Sequence, residues 1–66
     1  MRMYEAALTR PDNIAQVKAA IPLIMRIGGT VQFAQPTSTG VTLVVVTIPA
    51  AHRIEDILPG LPFYLV

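Results

Sequence analysis

Residues 41–48, Val-Thr-Leu-Val-Val-Val-Thr-Ile, are the stretch that most constrains how this chain folds. Six of the eight side chains are aliphatic and the two threonines are β-branched, a composition that favours a β-strand. A strand with one face in water alternates apolar and polar residues, and this segment does not. We therefore expect both of its faces to be covered.

The chain is too small to cover both faces of such a strand by itself. It has 66 residues and no cysteine, so neither disulfides nor thiolate metal sites supplement its core. Hydrophobic residues make up 53% of it and charged residues 14%, against a usual charged fraction of about 25%. Oligomerisation is the remaining way to enlarge the core. We expect one domain, residues 1–66, that pairs with a second polypeptide.

Several classes of function are disfavoured by composition. A net charge of +1 is too small to attract nucleic acid or anionic lipid. The strand 41–48 has no aromatic residue on which a base could stack. One histidine (His52), one serine and four acids form no catalytic or metal-ligating pattern, so we expect no enzyme, metal or cofactor. The apolar runs are too short to span a bilayer and no signal peptide is recognisable, so a cytoplasmic protein is the default expectation.

The first half of the chain is predicted to be a strand, a helix and a second strand. Residues 2–9 form the first strand, and the helix starts near Arg10-Pro11-Asp12-Asn13, with Thr9 or Asp12 as its cap. Pro22 is expected either to kink this helix or to break it before Gly28-Gly29 ends it. Residues 30–35 alternate as a half-buried strand should. The helix carries an apolar stripe at helical spacing, formed by Ile14, Val17, Ile21 and Ile24.

The second half of the chain is again predicted to be a strand, a helix and a strand. Residues 36–40 (Pro-Thr-Ser-Thr-Gly) are a polar loop of hairpin length, and the strand 41–48 follows. Pro49 is expected to open a short helix that ends at Pro59-Gly60. Residues 61–66 form a last strand. The apolar side of the short helix is given by Ile54, Ile57 and Leu58.

The element order strand, helix, strand, strand, helix, strand predicts an α+β protein with the ferredoxin-like split βαββαβ fold. Right-handed crossovers place two helices on one face of a four-stranded antiparallel sheet. The first and third strands are central, and the second and fourth lie at the edges.

One face of this sheet is predicted to be left bare and to serve as an interface. Strand 41–48 would contribute Val44 and Val46, or Val45 and Thr47 if the alternation has the other phase. The last strand would contribute Tyr64 or Phe63. The predicted interface residues are Glu5, Ala7, Gln32, Ala34, Val44, Val46 and Tyr64.

Two charged positions have a functional and an ordinary interpretation. Glu5 lies on a central strand, either as a carboxylate that recognises a ligand or partner, or as an acid that is simply solvated or forms a salt bridge with Arg2 or an arginine across the sheet. His52-Arg53 could meet an acidic partner or a phosphate at a helix start, but two exposed residues in a first turn are the simpler interpretation. Glu55 and Asp56 are adjacent, about 100° apart on a helix, and form no carboxylate dyad. The loop 37–40 and Gly28-Gly29 match no phosphate-binding motif.

Three functions are compatible with these features. The first is a homodimeric interaction module that pairs through its open sheet face or a sheet edge. The second follows from residues 57–66 (Ile-Leu-Pro-Gly-Leu-Pro-Phe-Tyr-Leu-Val), whose ending, together with the element order, resembles the inhibitory prodomains of subtilisin-type proteases. That resemblance implies a sheet face presented to a protease, although residues 36–40 lack the acids that the family tends to place in the hairpin between strands two and three. The third is a small-molecule-sensing domain.

Overall fold

The computed structural model describes residues 1–34 and 40–66, and they form an α+β structure. It contains a four-stranded antiparallel sheet and two helices. Gln35 and residues 36–39 of the predicted polar loop lie outside the described residues. The elements in chain order are β1 (Arg2–Leu8), α1 (Pro11–Arg26), β2 (Thr30–Phe33), β3 (Thr42–Ile48), α2 (Ile54–Ile57) and β4 (Tyr64–Leu65).

The strands lie side by side in the order β2-β3-β1-β4. Every neighbouring pair is antiparallel, and β1 pairs with β3 along its whole length, from Arg2 opposite Ile48 to Leu8 opposite Thr42. The predicted central position of the first and third strands is confirmed. As a consequence, β1 and β3 form the middle of the sheet and bring their side chains together on both of its faces.

The core lies between one face of the sheet and the two helices. Alternate residues of β1 and β3 point into it, because successive side chains of a strand face opposite sides. Val17 and Ile24 of α1 and Ile54 of α2 cover them, and all three are buried. The predicted helical stripe faces the core: Val17 and Ile24 are fully buried, Ile14 is partly buried against the core, and Ile21 is half-buried. The strand residues of the core are Tyr4, Ala6, Leu8, Val44, Val46 and Ile48.

Helix α1 runs without interruption from Pro11 to Arg26. Pro22 lies inside it and is exposed, so the predicted alternative of a broken helix with a separate second turn is wrong. The predicted caps are also wrong. Arg10 occupies the N-cap position in an extended conformation and makes no capping hydrogen bond, because Pro at the first helical position already removes one of the unpaired N–H groups.

The remaining elements are shorter than the sequence predicts. Strand β2 ends at Phe33, β4 contains only Tyr64 and Leu65, and α2 is a single turn. Pro49 does not open α2. Residues 50–52 form a turn instead, and Arg53 precedes the helix in an extended conformation.

Candidate functional site: the open sheet face

The pairing of β3 with β1 shows which side chains of β3 face the core and which face away from it. Val44 lies opposite Ala6 and Val46 opposite Tyr4, and directly opposed residues share a face of the sheet. Val44 and Val46 are therefore in the core, with no exposed surface, and their predicted place on the bare face is wrong. The other phase that the sequence left open is the one adopted, and β3 presents Leu43, Val45 and Thr47 on the opposite face.

The face turned away from the helices is called the open face below. It consists of three cross-strand rows. The first row joins Thr30, Thr47 and Met3; the second joins Gln32, Val45, Glu5 and Tyr64; the third joins Leu43 and Ala7. Ala34 follows the end of β2, and its N–H donates to the Leu43 carbonyl oxygen at 2.8 Å, which extends the third row by one residue. The predicted residues Glu5, Ala7, Gln32, Ala34 and Tyr64 are thus brought together.

The open face is mostly apolar and is not covered by any described residue. Met3 is 46% exposed, Leu43 36% and Tyr64 55%. Val45, in the centre, is partly shielded by its neighbours in the sheet. An apolar face of this kind, interrupted by a few polar groups, is typical of a surface that binds another molecule.

Glu5 is the one charged side chain on the open face, within residues 1–34 and 40–66. The hydroxyl of Tyr64, the opposing residue on β4, donates a hydrogen bond of 2.6 Å to Glu5 Oε1. Neither Arg2 nor any other described arginine pairs with Glu5, so the predicted salt bridge is replaced by a phenol–carboxylate pair. A charge-assisted hydrogen bond of this length holds the carboxylate in place.

The same hydrogen bond raises the pKa of Tyr64 above its ordinary value, with further contributions from desolvation and from the negative charge of Glu5. We expect Glu5→Gln to lower the pKa of Tyr64 towards that ordinary value, because the amide removes both the strong acceptor and the charge. The ultraviolet absorbance of tyrosinate, followed as the pH is raised in a Tyr4→Phe background, isolates Tyr64. The raised pKa also predicts that the pair's contribution to stability is fully present below the ordinary pKa of tyrosine and is lost as the pH rises through the raised one.

A midpoint for Tyr64 that does not change in Glu5→Gln would contradict the hydrogen bond as the cause. The phenol of Tyr64 is solvent-exposed, so the readout is the titration itself and not a change in folding.

The first row of the open face carries a second polar pair. The hydroxyls of Thr30 and Thr47 hydrogen-bond to each other across β2 and β3. One of the two hydroxyls donates to the other, and the accepting hydroxyl keeps its own O–H.

The other positions singled out in the sequence form no site among the residues that the structure describes. His52 is exposed in the turn before α2, and Arg53 pairs with its near neighbour Glu55 at 3.9 Å, with both side chains largely in solvent. A shallow groove lies between α1 and the end of β2, and Lys18 Nζ lies 6.0 Å from the centre of the Phe33 ring there. None of the described helices is long and apolar enough to cross a membrane.

Three contributors to the open face, Met3, Thr30 and Leu43, were missed by the sequence prediction. Thr30 shares a strand face with Gln32. Met3 shares a strand face with Glu5 and could have been identified from the alternation of β1 alone. Leu43 could not, because 41–48 has aliphatic residues in both phases. The choice between Phe63 and Tyr64 falls to Tyr64, since Phe63 is half-buried against the core.

No protein-family model, curated protein or solved structure was found to match the chain.

Proposed function

We propose that this protein is a non-enzymatic interaction module that forms a homodimer through its open face. The observation that carries the proposal is the placement of Leu43 and Val45 on an exposed sheet face in a protein whose other face is already covered by helices. Hydrophobic burial is the main driving force for association of such surfaces. A face with one acid and no cation among the described residues also offers little to a charged ligand.

We further propose that the fold is a minimal ferredoxin-like fold. The order β2-β3-β1-β4 supports this, since the strands linked by each helix, β1 with β2 and β3 with β4, are separated by one antiparallel strand and so run parallel to each other. This is the arrangement of two interleaved βαβ units.

The size of the open face indicates a weak dimer. Strands β1 and β3 have seven residues each. Strand β2 has four residues and β4 two, so at about 3.4 Å per residue and about 4.8 Å between strands the face covers roughly 330 Å². Two copies would bury on the order of 650 Å², below the usual size of stable specific interfaces, so we expect a weak dimer with a dissociation constant in the micromolar range or above it.

The sheet face is a better candidate than the sheet edges. The edge formed by β4 offers only two residues for strand pairing. The edge formed by β2 has only four residues and ends at Phe33. Edge pairing would also leave Leu43 and Val45 uncovered.

The oligomeric state tests this proposal. We expect light scattering coupled to size exclusion to give a mass that rises from the monomer towards twice that value across the micromolar range. Val45→Asp should weaken the dimer at least about 100-fold, because it buries unpaired carboxylates in the middle of the interface. The side chain at this position lies on the open face, so the monomer should remain folded.

Val45→Lys is the matched control. An aspartate introduced there lies opposite Glu5 and repels it within one copy, whereas a lysine in the same place is attracted to Glu5. If both variants are folded monomers, loss of apolar contact is the cause. A wild-type protein that is monomeric at all accessible concentrations would overturn the proposal.

A further inference from the structure

Two copies can pair through their open faces only if each copy offers a cation or a hydrogen-bond donor to Glu5 of the other. Removing a carboxylate from water is strongly unfavourable unless it is hydrogen-bonded or paired. The described part of the open face carries no lysine or arginine, since the basic residues Arg10, Lys18, Arg26 and Arg53 lie outside the sheet and Arg2 lies on the other side of β1. The partner copy must therefore offer a neutral donor.

Gln32 is the donor best placed to do so. The hydroxyls of Thr30 and Thr47 lie in the first row, one row away from Glu5, and the hydroxyl of Tyr64 already donates to Glu5 of its own chain. The side-chain amide of Gln32 is exposed and has no hydrogen-bond partner among residues 1–34 and 40–66. It has two N–H donors to offer to a facing acceptor.

The register places Gln32 and Glu5 symmetrically. Both lie directly opposite Val45, one on β2 and the other on β1, so Val45 is midway between them in the second row. Strand β3 is also the middle of the three longest strands. A two-fold axis that runs parallel to β3 and passes between the Val45 side chains of two copies brings Gln32 of each copy over Glu5 of the other.

The third row fits the same axis. Leu43 would meet its counterpart on the axis, and the small side chains of Ala7 and Ala34 on either side of it would face each other across the interface. A large central residue flanked by alanines leaves space for the partner's leucine to pack. A two-fold axis through Glu5, or one that runs across the strands, would instead place the two Glu5 carboxylates together, which is unfavourable.

Building on the proposed homodimer, we infer that its two copies are related by a two-fold axis along β3 in which the Gln32 amide of each copy hydrogen-bonds the Glu5 carboxylate of the other. Tyr64 then lies at the rim, where its hydroxyl fixes the Glu5 carboxylate from the side. The interface has two identical polar contacts around an apolar centre, and these contacts determine its orientation.

An exchange of the two side chains tests this inference, because Glu and Gln have the same shape. Gln32→Glu places a carboxylate against Glu5 of the partner at two sites, and we expect it to weaken the dimer about tenfold or more. The double variant Glu5→Gln with Gln32→Glu restores one carboxylate and one amide at each contact. We expect its dissociation constant to return to within about threefold of the wild type.

Within one chain, positions 5 and 32 are separated by β3, about 9.6 Å apart, so the single variant suffers little internal repulsion at physiological salt. Circular dichroism on each variant confirms that it is folded. Sedimentation equilibrium over the same concentration series gives the dissociation constants.

Two results would overturn the inferred orientation while leaving the homodimer in place: a Gln32→Glu variant that dimerises like the wild type, or a double variant that stays as weak as the single one. Wild-type protein that is monomeric throughout would remove the homodimer and this orientation together. Recovery of the dimer in the double variant supports both.

Discussion

Replacing Val46 with aspartate is expected to unfold the protein. Val46 has no exposed surface and lies in the core opposite Tyr4 and Val31. A carboxylate there has no partner and costs several kcal/mol. A chain of this size has about 3–5 kcal/mol of stability from its core, so the substitution removes most or all of it. Circular dichroism and the chemical-shift dispersion of the amide protons report the loss.

The control for this substitution is Val45→Asp, one residue earlier on the same strand. Its side chain points to the open face, so the same chemical change is expected to leave a folded monomer. If Val46→Asp folds, or if Val45→Asp unfolds as readily, the assigned phase of β3 is wrong.

Gly29→Ala is the second substitution with a large expected effect. A Cβ atom at this position would clash with the Thr47 carbonyl oxygen and would lie 2.8 Å from Ile24 Cγ2. The Gly29 N–H also donates to the Ile24 carbonyl oxygen at 2.8 Å, so moving the backbone away breaks a hydrogen bond. We expect a loss of about 3 kcal/mol, the upper range for overpacking of a core. Urea unfolding at a fixed protein concentration measures it, since dimerisation makes stability depend on concentration.

Gly28→Ala is the matched control. Gly28 has a φ of +88° but open space around its Cβ position, so the substitution costs only the strain of a left-handed conformation, about 1 kcal/mol. Equal losses at the two glycines would contradict the close approach of residue 29 to β3. Together the two substitutions distinguish Gly28, where glycine is needed for its backbone conformation, from Gly29, where it is needed because a Cβ atom does not fit.

The sequence predicted the number and order of the elements because each has a clear period or boundary. Tyr4, Ala6 and Leu8 share one face of the first strand, Ile14, Val17 and Ile24 have helical spacing, and proline or glycine separates the later elements. Element lengths were less predictable. The segment after Pro49 has few apolar residues before Ile54, so no burial favours a helix there, and α2 remains a single turn.

The open face could be predicted only in part. Glu5 and Ala7 follow from a first strand whose other phase carries Tyr4, Ala6 and Leu8, whereas the last strand left the choice between Phe63 and Tyr64 open. In β3 both phases are aliphatic, and each contains one threonine, Thr42 or Thr47, so no polar residue marks the exposed side. The phase depends on which side chains fit against Ala6 and Tyr4 of β1, and this is a property of pairing between distant segments. The hydrogen bond from Tyr64 to Glu5 joins residues at opposite ends of the chain and has no local signal.

Under the proposed homodimer, alternate side chains of β3 serve two different properties, the stability of the fold and the affinity for a second copy, and selection can act on each separately. Val44, Val46 and Ile48 are buried on the side of the sheet that the helices cover, whereas Leu43, Val45 and Thr47 lie on the opposite face. Under the proposed homodimer, substitutions at the second set change affinity while the folding energy stays nearly constant. A lineage of such proteins could therefore acquire new pairing specificities by substitutions at these three alternate positions of β3, without first gaining extra stability.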